Sequence, residues 1–240
     1  MSIGFGTRAR IGQIYPSGGL CDYEPQMMAP PGVQFLTTRI TFRKTGIEDD
    51  LALVAQVDDA AVLLGDAKVD LIAFNCTAAS LAAGPDAINS RIARATGIRS
   101  TTTIEAVLAA MAATRMKKIA LITAYPDEVV QVEHGFFARQ GFSVEAEAHH
   151  ACTNPFDQGT TDPSRWRDLA IGLKDRNFDG LLISCAGIQV GAVLEEIEQI
   201  LDRPVVTSNQ SLIWHCMRLL GIKDPVHGFG SLLAGQHEAG

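Results

Sequence analysis

The chain has 240 residues, 47% of them hydrophobic, which suffices for a full core in one large or two small α/β units and argues against disorder. Its net charge of −7, with no block of Lys or Arg, argues against a nucleic-acid partner, although a small anion could still be held by local dipoles. No apolar run reaches the roughly 18 residues of a membrane span and the N-terminus lacks a basic-then-apolar leader, so a cytoplasmic protein without a membrane partner is expected.

Strand-like and helix-like runs alternate along the whole chain. Strands are predicted over Arg10–Pro16 and Val33–Phe42, followed by one long helix over Ile47–Ala67 whose first-turn acids suit the helix dipole. A strand over Val69–Asn75 leads to a helix over Gly84–Gly97, with Pro85 suited to its start and Gly97 to its end. A short strand over 98–103 precedes a helix over Thr103–Arg115 capped by Thr102 or Thr103. The pattern then restarts, with strands at Lys117–Thr123, Phe142–His150, Asp179–Cys185 and Arg203–Ser208. Helices are predicted over Asp127–Gly141, Ser164–Arg176, Val190–Leu201 and Asn209–Gly221. Alternation of this kind implies parallel sheets covered by helices.

The restart reads as an internal duplication. Asp70 and Cys76 of "VDLIAFNC" align with Asp179 and Cys185 of "FDGLLISC" at an offset of 109 residues, Ile11 aligns with Ile119, and Arg99 with Pro204. The expected fold is α/β: two Rossmann-like parallel-sheet halves, 1–115 and 116–240, related by a pseudo-twofold, with the last helix of each free to cross to the other. Ligands of such sheets bind beyond the C-terminal strand ends, where Cys76 and Cys185 fall.

The five cysteines, at 21, 76, 152, 185 and 216, lack zinc-site spacing and are expected as free thiols. A lone Cys after a strand is ordinarily a small core residue. Two at matching repeat positions, each followed by small or hydroxylated residues (Thr77, Ala78; Ala186, Gly187), suggest a shared job. The helix dipole behind each would lower its thiol pKa, and the small side chains would leave N–H groups open to a carboxylate. Proton abstraction on one face with return on the other, or thiolate attack assisted by a second thiol, would use such a pair. The turn Pro16-Ser17-Gly18-Gly19 offers N–H groups to a carboxylate or is simply a tight turn, and Tyr125 is a hydroxyl donor or a packing residue. His149, His150 and His215 show no metal spacing. Gly4 and Gly6 precede the first strand, so they do not form a dinucleotide loop, and no cofactor or metal is expected.

The segments "IYPSGG", "NCTAAS", "TAYPDEV" and "LLISCAGI" resemble the aspartate/glutamate racemase superfamily over essentially the whole chain, in the branch of maleate cis–trans isomerases and arylmalonate decarboxylases. The resemblance implies two facing halves, no cofactor and an active site between them. As in the isomerases, both cysteines are present, Tyr125 falls on a substrate-binding Tyr, and Asn154 matches an Asn of the second half. The isomerases' first-loop Asn is missing. The decarboxylases have a similar first loop and second Cys loop, but Gly in place of Cys76. The resemblance thus implies a cofactor-independent isomerase of a small (di)carboxylate, most like maleate isomerase, with Cys76 and Cys185 catalytic. Pro16, Ser17, Gly18, Thr77, Ala78, Tyr125, Asn154, Ala186 and Gly187 would bind substrate. A decarboxylase, an amino-acid or hydantoin racemase, and a non-catalytic carboxylate binder are the alternatives, and homo-oligomerisation is left open.

Overall fold

In the computed structural model, which describes residues 6–237, the chain builds two four-stranded parallel sheets. The first half contains β1 (Ala9–Pro16), α1 (Glu24–Met27), β2 (Val33–Ile40), α2 (Ile47–Val54), α3 (Val57–Asp66), β3 (Leu71–Phe74), α4 (Thr77–Ala83), α5 (Pro85–Thr96), β4 (Ser100–Thr102) and α6 (Thr103–Ala113). The second contains β5 (Lys118–Thr123), α7 (Asp127–Arg139), β6 (Ser143–His149), α8 (Pro155–Thr160), α9 (Pro163–Gly172), β7 (Gly180–Ser184), α10 (Leu194–Leu201), β8 (Val205–Thr207), α11 (Ser208–Leu219) and α12 (Gly230–Leu233).

The sheets have the same order, β2-β1-β3-β4 and β6-β5-β7-β8. The duplication reappears in the hydrogen bonds. Asp70 Oδ2 accepts from the Arg10 N–H at 2.7 Å, and Asp179 Oδ2 accepts from the Lys118 N–H at 2.7 Å. Thr102 and Thr207 each close a capping box, with Glu105 and Gln210 as the reciprocal partners. In each sheet the chain changes direction of winding between the first and third strands of its half. The crevice beyond those strand ends is where such a fold binds ligands. Pro16 and Cys76 lie there in one sheet, Tyr125 and Cys185 in the other.

The helices α6 and α11 pack on each other, and α11 touches β3 as well as β8 while α6 touches β4 and β8. One apolar cluster therefore runs through both halves, from Ile11, Leu71 and Ala73 through Val107, Met111, Leu212 and Ile213 to Leu121, Leu182 and Val206.

Three local outcomes differ from the sequence expectation. The predicted long helix over Ile47–Ala67 is two helices, because Gln56 leaves helical geometry and its amide bonds both backbone groups of Thr41, while Arg91 takes the Ala55 carbonyl. The helix predicted from Val190 starts at Leu194, because the Val190 and Gly191 N–H groups are bound at 2.9 Å by the Glu24 carboxylate. The third outcome is the set of short helices α1, α4, α8 and α12, which are too brief to show a periodic apolar stripe.

Glu133 of α7 is fully buried. Its Oε1 accepts from the Ser184 hydroxyl, its Oε2 has no partner, and burial pushes its carboxyl pKa up to about 8 from an ordinary 4.5. Between those values the native state holds a proton that the unfolded chain has released, so this group's contribution to stability falls as pH rises. Glu133→Gln, which keeps the acceptor for Ser184, is expected to flatten the loss of stability between about pH 5 and 8. Urea melts of both proteins across that range check it, and parallel pH curves would refute it.

Candidate active site

A cavity of ≈ 20 Å³, room for about one water, lies between the two sheets' C-terminal ends. Cys76 and Cys185 both line it, 8% and 4% exposed respectively. Cys76 is the cap residue of α4, with extended backbone, and Cys185 follows β7 directly.

The two thiol loops are tied together. The Ser208 hydroxyl at the start of α11 accepts from Thr77 Oγ1 at 2.9 Å and from the Cys185 N–H at 3.1 Å. Asn209 extends the seam: its amide donates to Glu24 Oε2 and to the Ala186 carbonyl, and its Oδ1 accepts from Asn75 at 3.3 Å. Tyr15 donates to the Ala186 carbonyl at 3.2 Å and accepts from the Cys21 N–H. The second Cys loop is thus held mainly by side chains of the first half and of α11.

Of the residues predicted at the site, Pro16, Cys76, Thr77, Ala78, Tyr125, Cys185, Ala186 and Gly187 line this cavity. Ser17, Gly18 and Asn154 do not. The N–H groups of Ser17, Gly18 and Gly19 are donated to Ile40, Phe42 and Pro16, so this turn has no free donors for a carboxylate. Ser17 Oγ accepts from the Phe42 N–H, and Asn154 caps α8 through Asp157. Gly19 does line the cavity, and a Cβ there would lie 2.6 Å from the Tyr15 ring, which excludes a side chain at that point of the turn. His149 stands beside Asp127 and Glu147, His150 packs edge-on to Trp166, and His215 stacks on Trp214, all away from the lining.

The lining also includes Tyr15, Phe42, Thr45, Asp50, Asn75, Pro155 and Gln158, which sequence reasoning did not single out. Phe42, Thr45, Pro155 and Gln158 come from opposite halves. Two bonds join those segments, from the Thr45 N–H to the Thr153 carbonyl at 3.1 Å and from Gln158 to Thr45 Oγ1 at 3.3 Å. Asp50 had a legible signal. Asp50, Leu53, Val54 and Val57 recur at i, i+3, i+4 and i+7, so this acid sits on the buried stripe, unlike Glu48 and Asp49.

Electrostatics reverse the expected sign at the thiols. Burial raises Cys76 well above its ordinary value, the Asp50 carboxylate adds to this, and the Ala79 and Ala78 N–H groups only partly oppose it. Burial likewise pushes Cys185 up to about 12 despite the Gly187 N–H, 3.2 Å from its Sγ, and the Tyr125 hydroxyl. No Lys, Arg or His lines the cavity, so desolvation outweighs the helix termini. Among the described residues no group of three or more His, Cys, Asp or Glu could hold a metal ion, and no helix is long and apolar enough to cross a membrane.

Paired cysteine loops at matching ends of two facing parallel sheets place the chain in the aspartate/glutamate racemase superfamily. Within it, residues 11–233 match the family model described as arylmalonate decarboxylase, and the chain belongs to that family of enzymes. It is 24% identical over 245 residues to a maleate isomerase of Pseudomonas putida, covering 95% of this chain and 98% of that one. It is 28% identical over 217 residues to the arylmalonate decarboxylase of Bordetella bronchiseptica, covering 88% and 90%. The solved Nocardia farcinica maleate cis–trans isomerase, a cysteine-to-serine mutant with a covalently bound succinylcysteine intermediate, superposes with a TM-score of 0.86 at 20% identity, covering 94% of this chain and 98% of that one.

All five cysteines are buried and unpaired. Thiol titration with a bulky aromatic disulfide near neutral pH is therefore expected to be slow in the native protein and to reach five equivalents on unfolding. A fast native phase of one or two thiols would show an open or ionised site.

Proposed function

We propose that the protein is a cofactor-independent isomerase of a small dicarboxylate, converting maleate to fumarate with Cys76 as nucleophile and Cys185 as acid. The observation that carries this reading is that two thiols from equivalent strand ends line one cavity. The succinylcysteine of the Nocardia isomerase supports thiol addition as the chemistry, and the maleate isomerases among the relatives support the substrate.

Cys76 sulfur forms a C–S bond to one alkene carbon, and the electron pair of the double bond moves to the neighbouring carbon and its carboxylate. Cys185 gives that carbon its proton. Rotation about the new single bond follows. Cys185 then takes a proton back, the C–S bond breaks, and its electron pair returns to sulfur as fumarate forms. In this reading Thr77 and Tyr125, which line the cavity, hold the developing oxyanion.

A decarboxylase is the second reading, favoured by the family model's description and by the 28% identical relative. Cys76 weighs against it. A thiol there crowds the departing carboxylate and offers a second proton donor, which would erode the hand of the product.

An NMR screen in deuterated buffer with maleate, aspartate, glutamate, a hydantoin and phenylmalonate separates isomerisation, α-carbon exchange and CO₂ loss. Maleate is expected to yield fumarate, and Cys76→Ala and Cys185→Ala each to lose far more than tenfold, a transition-state loss above about 1.4 kcal/mol. Retained activity in either variant would remove that thiol from the chemistry. Cys76→Gly is expected to abolish isomerisation and to admit weak arylmalonate decarboxylation. Efficient decarboxylation to a single enantiomer by the wild type would select the second reading.

A further inference from the structure

The resting site holds a contradiction that Asp50 resolves. A nucleophilic Cys76 must lose its proton, yet burial holds the proton on sulfur and no basic side chain lines the cavity. Asp50, 1% exposed, enters the same cavity from α2, and Cys76 Sγ donates to its Oδ1 at 4.0 Å. Among the described residues the thiol is the hydrogen-bond partner recorded for this carboxylate's side chain.

We propose that Asp50 is the proton acceptor for Cys76: the S–H bond breaks as sulfur attacks, its electron pair stays on sulfur, and the proton goes to Asp50 Oδ1. The inference rests on Cys76 being the nucleophile of the proposed reaction.

The surroundings of Asp50 suit the task. Burial, with the charges of Asp49 beside it and Glu128 of α7, pushes its carboxyl up to about 7, far above an ordinary 3.8. The other ionisable groups coupled to the pair are Cys185, Tyr125 and Glu133 of α7, all raised by burial: the thiol and the phenol are neutral near pH 7, and Glu133, pushed up to about 8, is mostly protonated there. Above about pH 7 the thiol and the carboxylate therefore share one proton, and the two titrate as a pair. The transfer also fits an anionic substrate. Once it has taken the proton, Asp50 presents a neutral hydrogen-bond donor to the bound substrate while negative charge develops there, in a cavity that has no cation to offset two negative charges. When the C–S bond breaks, the same proton returns to sulfur.

The test uses alkylation by iodoacetamide, an uncharged reagent that needs no substrate, with Cys76 and Cys185 followed separately by peptide mass mapping from about pH 5.5 to 9.5. For the wild type, Cys76 modification is expected to rise through an inflection near pH 7, set by Asp50. Asp50→Asn should remove that inflection and slow Cys76 at least tenfold at about pH 8, leaving Cys185 within about twofold as an internal control for access and folding. Faster Cys76 alkylation in Asp50→Asn would show a merely anionic neighbour that suppresses the thiolate, and would overturn the proposal, as would an unchanged profile. If the variant fails to fold, the wild-type profile decides: a Cys76 rate that rises only above about pH 9 overturns it. Because no substrate is present, loss of the inflection in Asp50→Asn alongside a wild type inert to maleate would sustain the proton acceptor and discard the isomerase.

Discussion

The Ser208 hydroxyl, accepting from both Cys loops at once, is the joint on which the site depends. It sits at the N-terminus of α11, the helix that packs between the halves, and Thr207 caps that helix. The cap fixes the helix start, the helix start fixes Ser208 and Asn209, and those two side chains set where the cysteines lie relative to each other. Two sheets built separately from local strand and helix signals are brought together at the cavity by this short polar seam, alongside the shared apolar cluster and the bonds between the Thr45 and Gln158 segments. The seam is buried, so every polar group in it needs a partner, and a displaced member leaves others unsatisfied. Glu24 shows the stakes. It is buried with its pKa raised, and it is held in place by Asn209 and the Val190 and Gly191 N–H groups.

The pairing of Cys76 with Cys185 was legible because both follow apolar strands with the same leading Asp, and that Asp closes the same backbone contact in each sheet. The cap of α6 was legible as Thr102 or Thr103, and Thr102 takes it. Asp50 was obscured because an acid in the first turn of a helix has a sufficient surface explanation in the macrodipole. Only its phase relative to Leu53 and Val54 separates it from Asp49. Tyr15 was hidden inside a strand pattern, and its hydroxyl finds partners 171 residues away, which no local window can see. Thr45 and Gln158 belong to segments to which no element was assigned, and they meet only across the halves. The thiol pKa direction failed for a different reason. A helix terminus was weighed without the burial that accompanies it, and in a cavity this small burial is the larger effect.

Catalysis by a protonated thiol differs from catalysis by a standing thiolate. With no cation in the lining, the site does not stabilise negative sulfur in advance. In the proposed reaction, negative charge appears on it only as the proton leaves. Each sulfur meets backbone N–H groups and an acid, but the acid Asp50 is the second influence on Cys76 after burial, whereas on Cys185 the Gly187 N–H and the Tyr125 hydroxyl come before Glu133. The two halves therefore differ in electrostatics at equivalent strand ends, as the roles proposed for the two thiols require.

The depth of the five thiols bears on how long the molecule survives. Peroxide attacks thiolates that solvent can reach, and the steps beyond sulfenic acid are largely irreversible. Sulfurs that are buried and hold their protons offer oxidants little to react with. For Cys76 and Cys185, resistance to oxidants and sluggishness toward reagents would follow from the same burial in one small cavity.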